Sequence, residues 1–123
     1  MLFEENRRNG GPGIEGYESG RLNIGGREYT TAVRLLEDEC QPCPEALPAE
    51  LDARSFTACF EGRARPEVIL VGTGEKQQFL PPKTVAALAA RGIGLECMTT
   101  AAACRTFMIL QGEGRRVWAW LWP

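Results

Sequence analysis

The chain has 123 residues, 44% hydrophobic and 24% charged, a composition typical of one globular domain. Its formal net charge of -2 argues against general nucleic-acid binding, which needs a strongly positive surface. It contains no histidine, which excludes histidine-dependent nucleophiles, histidine metal sites and the usual near-neutral general base.

The beginning of the chain predicts a flexible tail over residues 1–13, because this glycine-rich segment has little to bury. No apolar run has the length of about 20 residues that a membrane helix requires, and no signal peptide core follows Arg7 and Arg8. We therefore expect a cytoplasmic protein without direct membrane insertion, folded as a single α/β domain over residues 14–123.

Residues 14–36 predict three antiparallel strands. Apolar and polar residues alternate around Ile14 and again at Leu22 and Ile24, and β-branched and aromatic residues follow over 29–33. Gly25 and Gly26 supply the positive φ angles of a tight hairpin turn between the last two strands. Residues 37–48, with four acidic residues and three prolines, predict a loop.

Helices and strands alternate over the rest of the chain. Helices are predicted over 51–60, from the proline pair at 81–82 to Gly92, and from Thr99 or Thr100 to about Gly112; strands are predicted over 67–71, 93–98 and 117–122. This order predicts a three-layer α/β domain with a mixed central β-sheet, helices packed on it and an N-terminal β-meander.

A ligand pocket is one interpretation of the sheet edge where two of these strands end. If those strands are parallel, their carboxyl ends meet at one edge, where glycines and helix amides are suited to an anion. The hypothetical ligand-binding residues are Gly72, Thr73, Gly74, Thr99, Thr100 and Arg105. The alternative is a tight strand-to-helix turn, with Arg105 paired to an internal carboxylate such as Glu96.

Cys40 and Cys43 have the spacing of a redox motif, but their proline-flanked loop opens no helix that would lower a thiol pKa. A zinc site would need two further ligands, and no second Cys-x-x-Cys pair is present. We expect no metal and no cofactor. Cys59, Cys97 and Cys104 lie in apolar patterns typical of small core residues.

Three tryptophans share one face of the last predicted strand, because side chains alternate along a strand. Trp118, Trp120 and Trp122 are hypothetical partner-interface residues, since buried aromatic side chains anchor many interfaces. The alternative is that they lie beneath helices in the core.

With these motifs in view, the chain resembles a small bacterial and archaeal domain family of unknown function that is related to a mitochondrial NADH dehydrogenase (complex I) assembly factor. The resemblance covers residues 14–121. It rests on the order and spacing of residues 72–74, 79–82, 92–98, 102–107 and 113–117. Thr99 and Met108 depart from it, because aspartate and asparagine are usual there, and any site built from those positions is altered or lost here.

The resemblance implies a three-layer α/β fold and a non-catalytic binding or assembly role, with another protein or a membrane-complex subunit as partner. Homo-oligomer formation stays open. The alternative function is a small-anion or metabolite pocket at the glycine edge, with weak hydrolase or transferase activity.

Overall fold

The computed structural model describes residues 13–37 and 39–123. The predicted tail falls on residues that lie outside this part, except for Gly13. Gly13 is already tied to the first hairpins, because its carbonyl oxygen accepts a hydrogen bond from the Gly25 N–H at 3.1 Å.

The first three strands form a separate antiparallel sheet in the order β1-β2-β3. β1 spans Ile14–Glu18, β2 spans Arg21–Ile24 and β3 spans Arg27–Tyr29. Leu22 and Ile24 are buried and their neighbours exposed, as the alternation predicts. The meander is confirmed, although its third strand ends at Tyr29 instead of continuing to Val33.

The central sheet has five strands in the order β5-β4-β8-β6-β7. β4 spans Val33–Leu36, β5 Glu39–Pro42, β6 Val68–Gly72, β7 Gly94–Met98 and β8 Val117–Leu121. β6 is parallel to β7 and β8, whereas β4 is antiparallel to β5 and β8. The predicted mixed sheet is therefore confirmed.

Two predictions about residues 33–42 are wrong. Val33 and Leu35 pack on one face of the sheet and Leu36 on the other, so this segment joins the central sheet as β4 and not the meander. Residues 39–42 are a strand and not part of a loop. Their side chains show no apolar alternation, and pairing with β4 makes them an edge strand.

Three α-helices connect the strands of the central sheet. α1 spans Ala53–Thr57, with a capping box between Asp52 and Ser55; α2 spans Pro82–Ala89; α3 spans Thr100–Gly112. The predicted helix over 51–60 is thus shorter than expected. Cys59 and Phe60 still pack against the core from the turns that follow α1.

Different elements cover the two faces of β8, and these elements form the outer layers of the fold. Trp118, Trp120 and Trp122 pack with residues of α1 and α2, whereas Val117, Ala119 and Leu121 pack with α3 and the N-terminal sheet. Every residue of β8 is buried. The sheet is therefore covered on both faces, which confirms the three-layer architecture.

Candidate functional site

The carboxyl ends of β6 and β7 meet the start of α3, as parallel pairing requires. Gly72 at the end of β6 lies so close to the helix that a Cβ atom there would stand 2.9 Å from the Thr100 Cα atom. Only glycine allows this approach. The first residue of the predicted pocket therefore serves close packing between a strand and a helix.

The Thr100 hydroxyl group holds three segments together at this edge. It accepts a hydrogen bond from the Gly74 N–H at 2.7 Å and donates one to the Trp122 carbonyl at 2.5 Å. The Thr100 N–H donates to the Gly74 carbonyl at 2.9 Å, and the Trp122 N–H donates to the Gly72 carbonyl at 2.9 Å. We call these four residues the Thr100 joint.

Thr73 and Thr99 are also engaged within the chain. The Thr73 hydroxyl donates to the Lys76 carbonyl at 2.7 Å and accepts from the Gln78 N–H at 3.1 Å, which shapes the loop after β6. The Thr99 side chain caps α3 by accepting from the Ala102 N–H at 3.3 Å. The geometry of this edge therefore matches the strand-to-helix turn that the sequence left as an alternative to a pocket.

Arg105 is exposed and borders a groove of about 480 Å³ between β1 and α3. The groove is also lined by Ile14, Glu15, Gly16, Tyr17, Cys104, Met108 and Ile109. Within the described part of the chain, no hydrogen bond or ion pair joins Arg105 to the Thr100 joint or to Glu96. Arg105 thus lines a groove to which none of the other five predicted site residues contributes.

This groove, which we call the α3 groove, was not predicted from the sequence. Met108 is 37% exposed and Ile109 60% exposed, although both are apolar. The available signal was that these two apolar side chains follow directly after Phe107, which belongs to the buried face of α3 together with Cys104. Glu15 lies at one side of the groove, where its carboxylate accepts a hydrogen bond from the Gly26 N–H at 2.9 Å.

Tyr17 lines the α3 groove and carries a buried polar atom. Its hydroxyl oxygen is buried and has no hydrogen-bond partner among the described residues. Burial raises the pKa of the Tyr17 hydroxyl, and the negative charges of Glu75 and of ionised Cys104 raise it further. The group is therefore protonated near neutral pH.

The tryptophans do not form an exposed interface. Trp118 and Trp120 are fully buried, and the Trp120 ring meets Phe56 edge-on with 4.8 Å between ring centroids. Trp122 is also buried, and its indole N–H donates to the Ala46 carbonyl at 2.8 Å. The interface hypothesis for these three residues is corrected: α1, α2 and the loops around them cover this face.

Cys40 and Cys43 lie on opposite faces of the central sheet. Cys40 packs with the cluster under α3 and the N-terminal sheet, whereas Cys43 packs with the cluster under α1 and α2. Residues three apart along a strand point to opposite sides, so the two thiols do not converge. This geometry favours separate packing roles for the two cysteines.

We expect slow alkylation of the half-buried Cys43 thiol and the buried Cys104 thiol. Burial raises the pKa of Cys43 to about 12 and that of Cys104 to about 11, although the Arg105 charge opposes part of the latter shift. Because the thiolate is the nucleophile, iodoacetamide at pH 8 should modify both at least about tenfold more slowly than in the urea-unfolded chain. Peptide mapping of a time course measures this. Equal native and unfolded rates at Cys43 would contradict the packing of this half-buried thiol against the core.

Comparison with known proteins places the whole described domain among relatives. A family model described as "Protein of unknown function (DUF498/DUF598)" matches residues 14–122. The mouse protein named NADH dehydrogenase [ubiquinone] 1 alpha subcomplex assembly factor 3 is 32% identical over 110 residues. This match covers 89% of the chain and 60% of the mouse protein, so the chain spans less than two thirds of that relative.

Two bacterial proteins are also similar. The "13 kDa major membrane protein" of Francisella tularensis is 40% identical, with 82% of each chain covered. A crystal structure of a Bordetella parapertussis protein is 37% identical, with a TM-score of 0.82 and coverage of 91% of this chain and 95% of that one.

Among the described residues of the present chain, no helix is both long and apolar enough to cross a membrane.

Proposed function

The chain belongs to the DUF498/DUF598 protein family, and we propose that it is a non-catalytic binding protein that assists assembly of a respiratory membrane complex. The observation that carries this proposal is the match to the mammalian assembly factors, which spans 89% of the chain. The shared part is thus the folded domain itself. If surfaces of this domain carry the assembly role in those relatives, the present chain provides the same domain.

The α3 groove is the surface that we assign to the partner. Ile109 and Met108 offer apolar area, and Arg105 offers one positive charge at its border. A partner that buries these side chains would need an apolar side chain next to a carboxylate, because a guanidinium pairs best with a carboxylate. We propose a subunit polypeptide of the complex, with an acidic residue that pairs with Arg105.

Affinity purification from the native host tests this proposal. A tagged chain should retrieve subunits of the NADH dehydrogenase, and Arg105→Ala should reduce their recovery, because a paired arginine at an interface typically contributes about tenfold in affinity. Arg91→Ala is the matched control. Arg91 is also an exposed arginine, but it follows α2 on the opposite face of the sheet.

Two outcomes test the identity of the partner and the binding surface separately. If quantitative mass spectrometry finds no enrichment of NADH dehydrogenase subunits over an unrelated tagged protein, the assembly role is wrong. If Arg91→Ala and Arg105→Ala reduce recovery equally, the α3 groove is not the binding surface.

The small-anion pocket is the alternative function, and the hydrogen bonds of the Thr100 joint do not favour it. Thermal-shift measurement with a panel of anionic metabolites decides between them. Stabilisation of the wild-type chain but not of Arg105→Ala by one of these anions would favour the pocket over the assembly role.

The proposal also includes a cytoplasmic location, where the chain would meet newly made subunits. Any part of the chain found with membranes would then be there because it is bound to the partner complex. Fractionation of host cells should release the chain from membranes when the complex is dissociated, and retention after that treatment would contradict this location.

A further inference from the structure

β7 is an edge strand, and its outer side can be identified from two hydrogen bonds. Gly94 donates its N–H to the Glu67 carbonyl at 3.1 Å, toward the inner neighbour β6. Backbone groups of successive residues in a strand point to alternate sides, so the N–H and carbonyl groups of Leu95 and Cys97 point outward, while the Leu95 side chain is buried in the core. Consistent with this, the Cys97 carbonyl accepts a bond from the Gln77 side-chain Nε2 at 2.9 Å.

Part of this outer edge has no partner. The Leu95 N–H, the Leu95 carbonyl and the Cys97 N–H bond to no backbone group of residues 13–37 or 39–123. Such a row is a template for another strand, and proteins commonly block it with proline. The opposite edge strand, β5, ends at Pro42, whereas β7 contains no proline.

Phe79 lies in the segment that borders this edge and is 80% exposed. The residues next to Phe79 are fixed by contacts within the chain. The Gln77 side chain donates a hydrogen bond to the Cys97 carbonyl, the Gln78 N–H donates one to the Thr73 hydroxyl, and Leu80 is buried. One exposed apolar residue alone needs no explanation. A phenyl ring kept in solvent beside an unpaired strand edge provides an apolar contact for whatever pairs with that edge.

The unpaired edge of β7 favours an extended polypeptide as its ligand, and Glu96 favours a positively charged side chain in that ligand. Only an extended polypeptide offers N–H and carbonyl groups at the spacing of a strand. Glu96 is exposed on β7 and favours a positive residue directly across from it. One arrangement of a second copy is disfavoured, because the antiparallel register that pairs Leu95 with Cys97 would place Glu96 opposite Glu96.

We propose that the outer edge of β7 binds an extended segment of another polypeptide as an added strand. This segment carries a lysine or arginine opposite Glu96 and an apolar side chain against Phe79. The surface differs from the α3 groove, so this inference goes beyond the proposed function and does not require it.

Nuclear magnetic resonance of the isotope-labelled chain tests the added strand. The probe is a capped peptide that alternates threonine with valine and has one central lysine. Binding should shift the Leu95 and Cys97 amide signals and slow their hydrogen exchange. A control peptide with alternate backbone nitrogens methylated should not bind, because it cannot form the ladder. Equal binding of both peptides, or no shift up to about millimolar peptide, the weak limit of a specific contact, overturns the proposal.

Two variants test the side-chain contacts. Glu96→Lys should reverse the preference, so that a peptide with a central glutamate binds better than the lysine peptide. Phe79→Ala should weaken binding by about fivefold, and Ile109→Ala, a control in the α3 groove, should leave it unchanged. An unreversed preference, or equal weakening by both alanine variants, contradicts the proposal. Protection of Leu95 and Cys97 that grows with protein concentration alone would identify a second copy as the occupant and overturn it.

The two proposals fail separately. Retrieval of NADH dehydrogenase subunits without peptide binding would overturn the β7 proposal and leave the assembly role standing. Peptide binding at β7 without retrieval of these subunits would overturn the assembly role and leave the β7 proposal standing.

Discussion

Replacement of Trp120 by alanine should lower the free energy of unfolding by about 3–5 kcal/mol, the usual cost of deleting a fully buried aromatic side chain. Trp120 lies in the central strand of the sheet and contacts Phe56 and Trp118, with ring centroids 4.8 Å and 6.2 Å away. Its loss leaves a cavity bounded by α1 and by the sheet, which the surrounding backbone cannot fill. Urea unfolding followed by circular dichroism measures the change.

Trp120→Phe is the matched control for this prediction. It keeps an aromatic ring and removes an indole N–H that has no hydrogen-bond partner among the described residues. The smaller cavity and the loss of this unpaired donor act in opposite directions, so we expect a cost below about 2 kcal/mol. If Trp120→Ala kept wild-type stability but lost the partner, the interface hypothesis for the tryptophans would return.

Thr100→Val should lower the free energy of unfolding by about 2–4 kcal/mol. Valine has the shape of threonine, so it creates no cavity, but it strands the Gly74 N–H and the Trp122 carbonyl that the hydroxyl serves. Each stranded buried group costs about 1–3 kcal/mol. Because Thr100 is fully buried, water cannot replace the hydroxyl. Thermal and urea unfolding of the variant check the prediction.

Two neighbouring substitutions make the Thr100 test specific. Thr100→Ser keeps the hydroxyl and loses one methyl group, at a cost of about 1 kcal/mol. Thr99→Ala removes the cap of α3, also at a cost of about 1 kcal/mol. Equal destabilisation by Thr100→Val and Thr100→Ser would show that packing, and not hydrogen bonding, maintains the Thr100 joint.

The secondary structure was predictable where a local pattern was sufficient. The alternation over Val117–Leu121 identified β8 and correctly separated its two faces. The apolar run of β6 indicated a strand buried on both sides, and Thr99 indicated the start of α3. These patterns reflect side-chain burial and helix capping, which act within a few residues.

Residues 33–42 show what local patterns leave undetermined. A strand pattern does not state which sheet the strand joins, so the pattern predicts β4 as part of the meander, whereas β4 pairs with β8. β5 carries no strand pattern at all, because an edge strand can be held by backbone pairing alone. Both errors concern pairing between distant segments.

The sequence by itself determined the fold class, the parallel edge where β6 and β7 end, and the family, because periodicity and motif spacing are properties of the chain. Tertiary structure alone decided the role of each candidate residue. It enclosed the tryptophans beneath α1 and α2 and engaged Thr73 and Thr100 in internal hydrogen bonds. It left Arg105 and Phe79 at the surface. The physical reason is that burial and hydrogen-bond partners depend on which distant segments meet, and residue type and spacing do not specify those contacts.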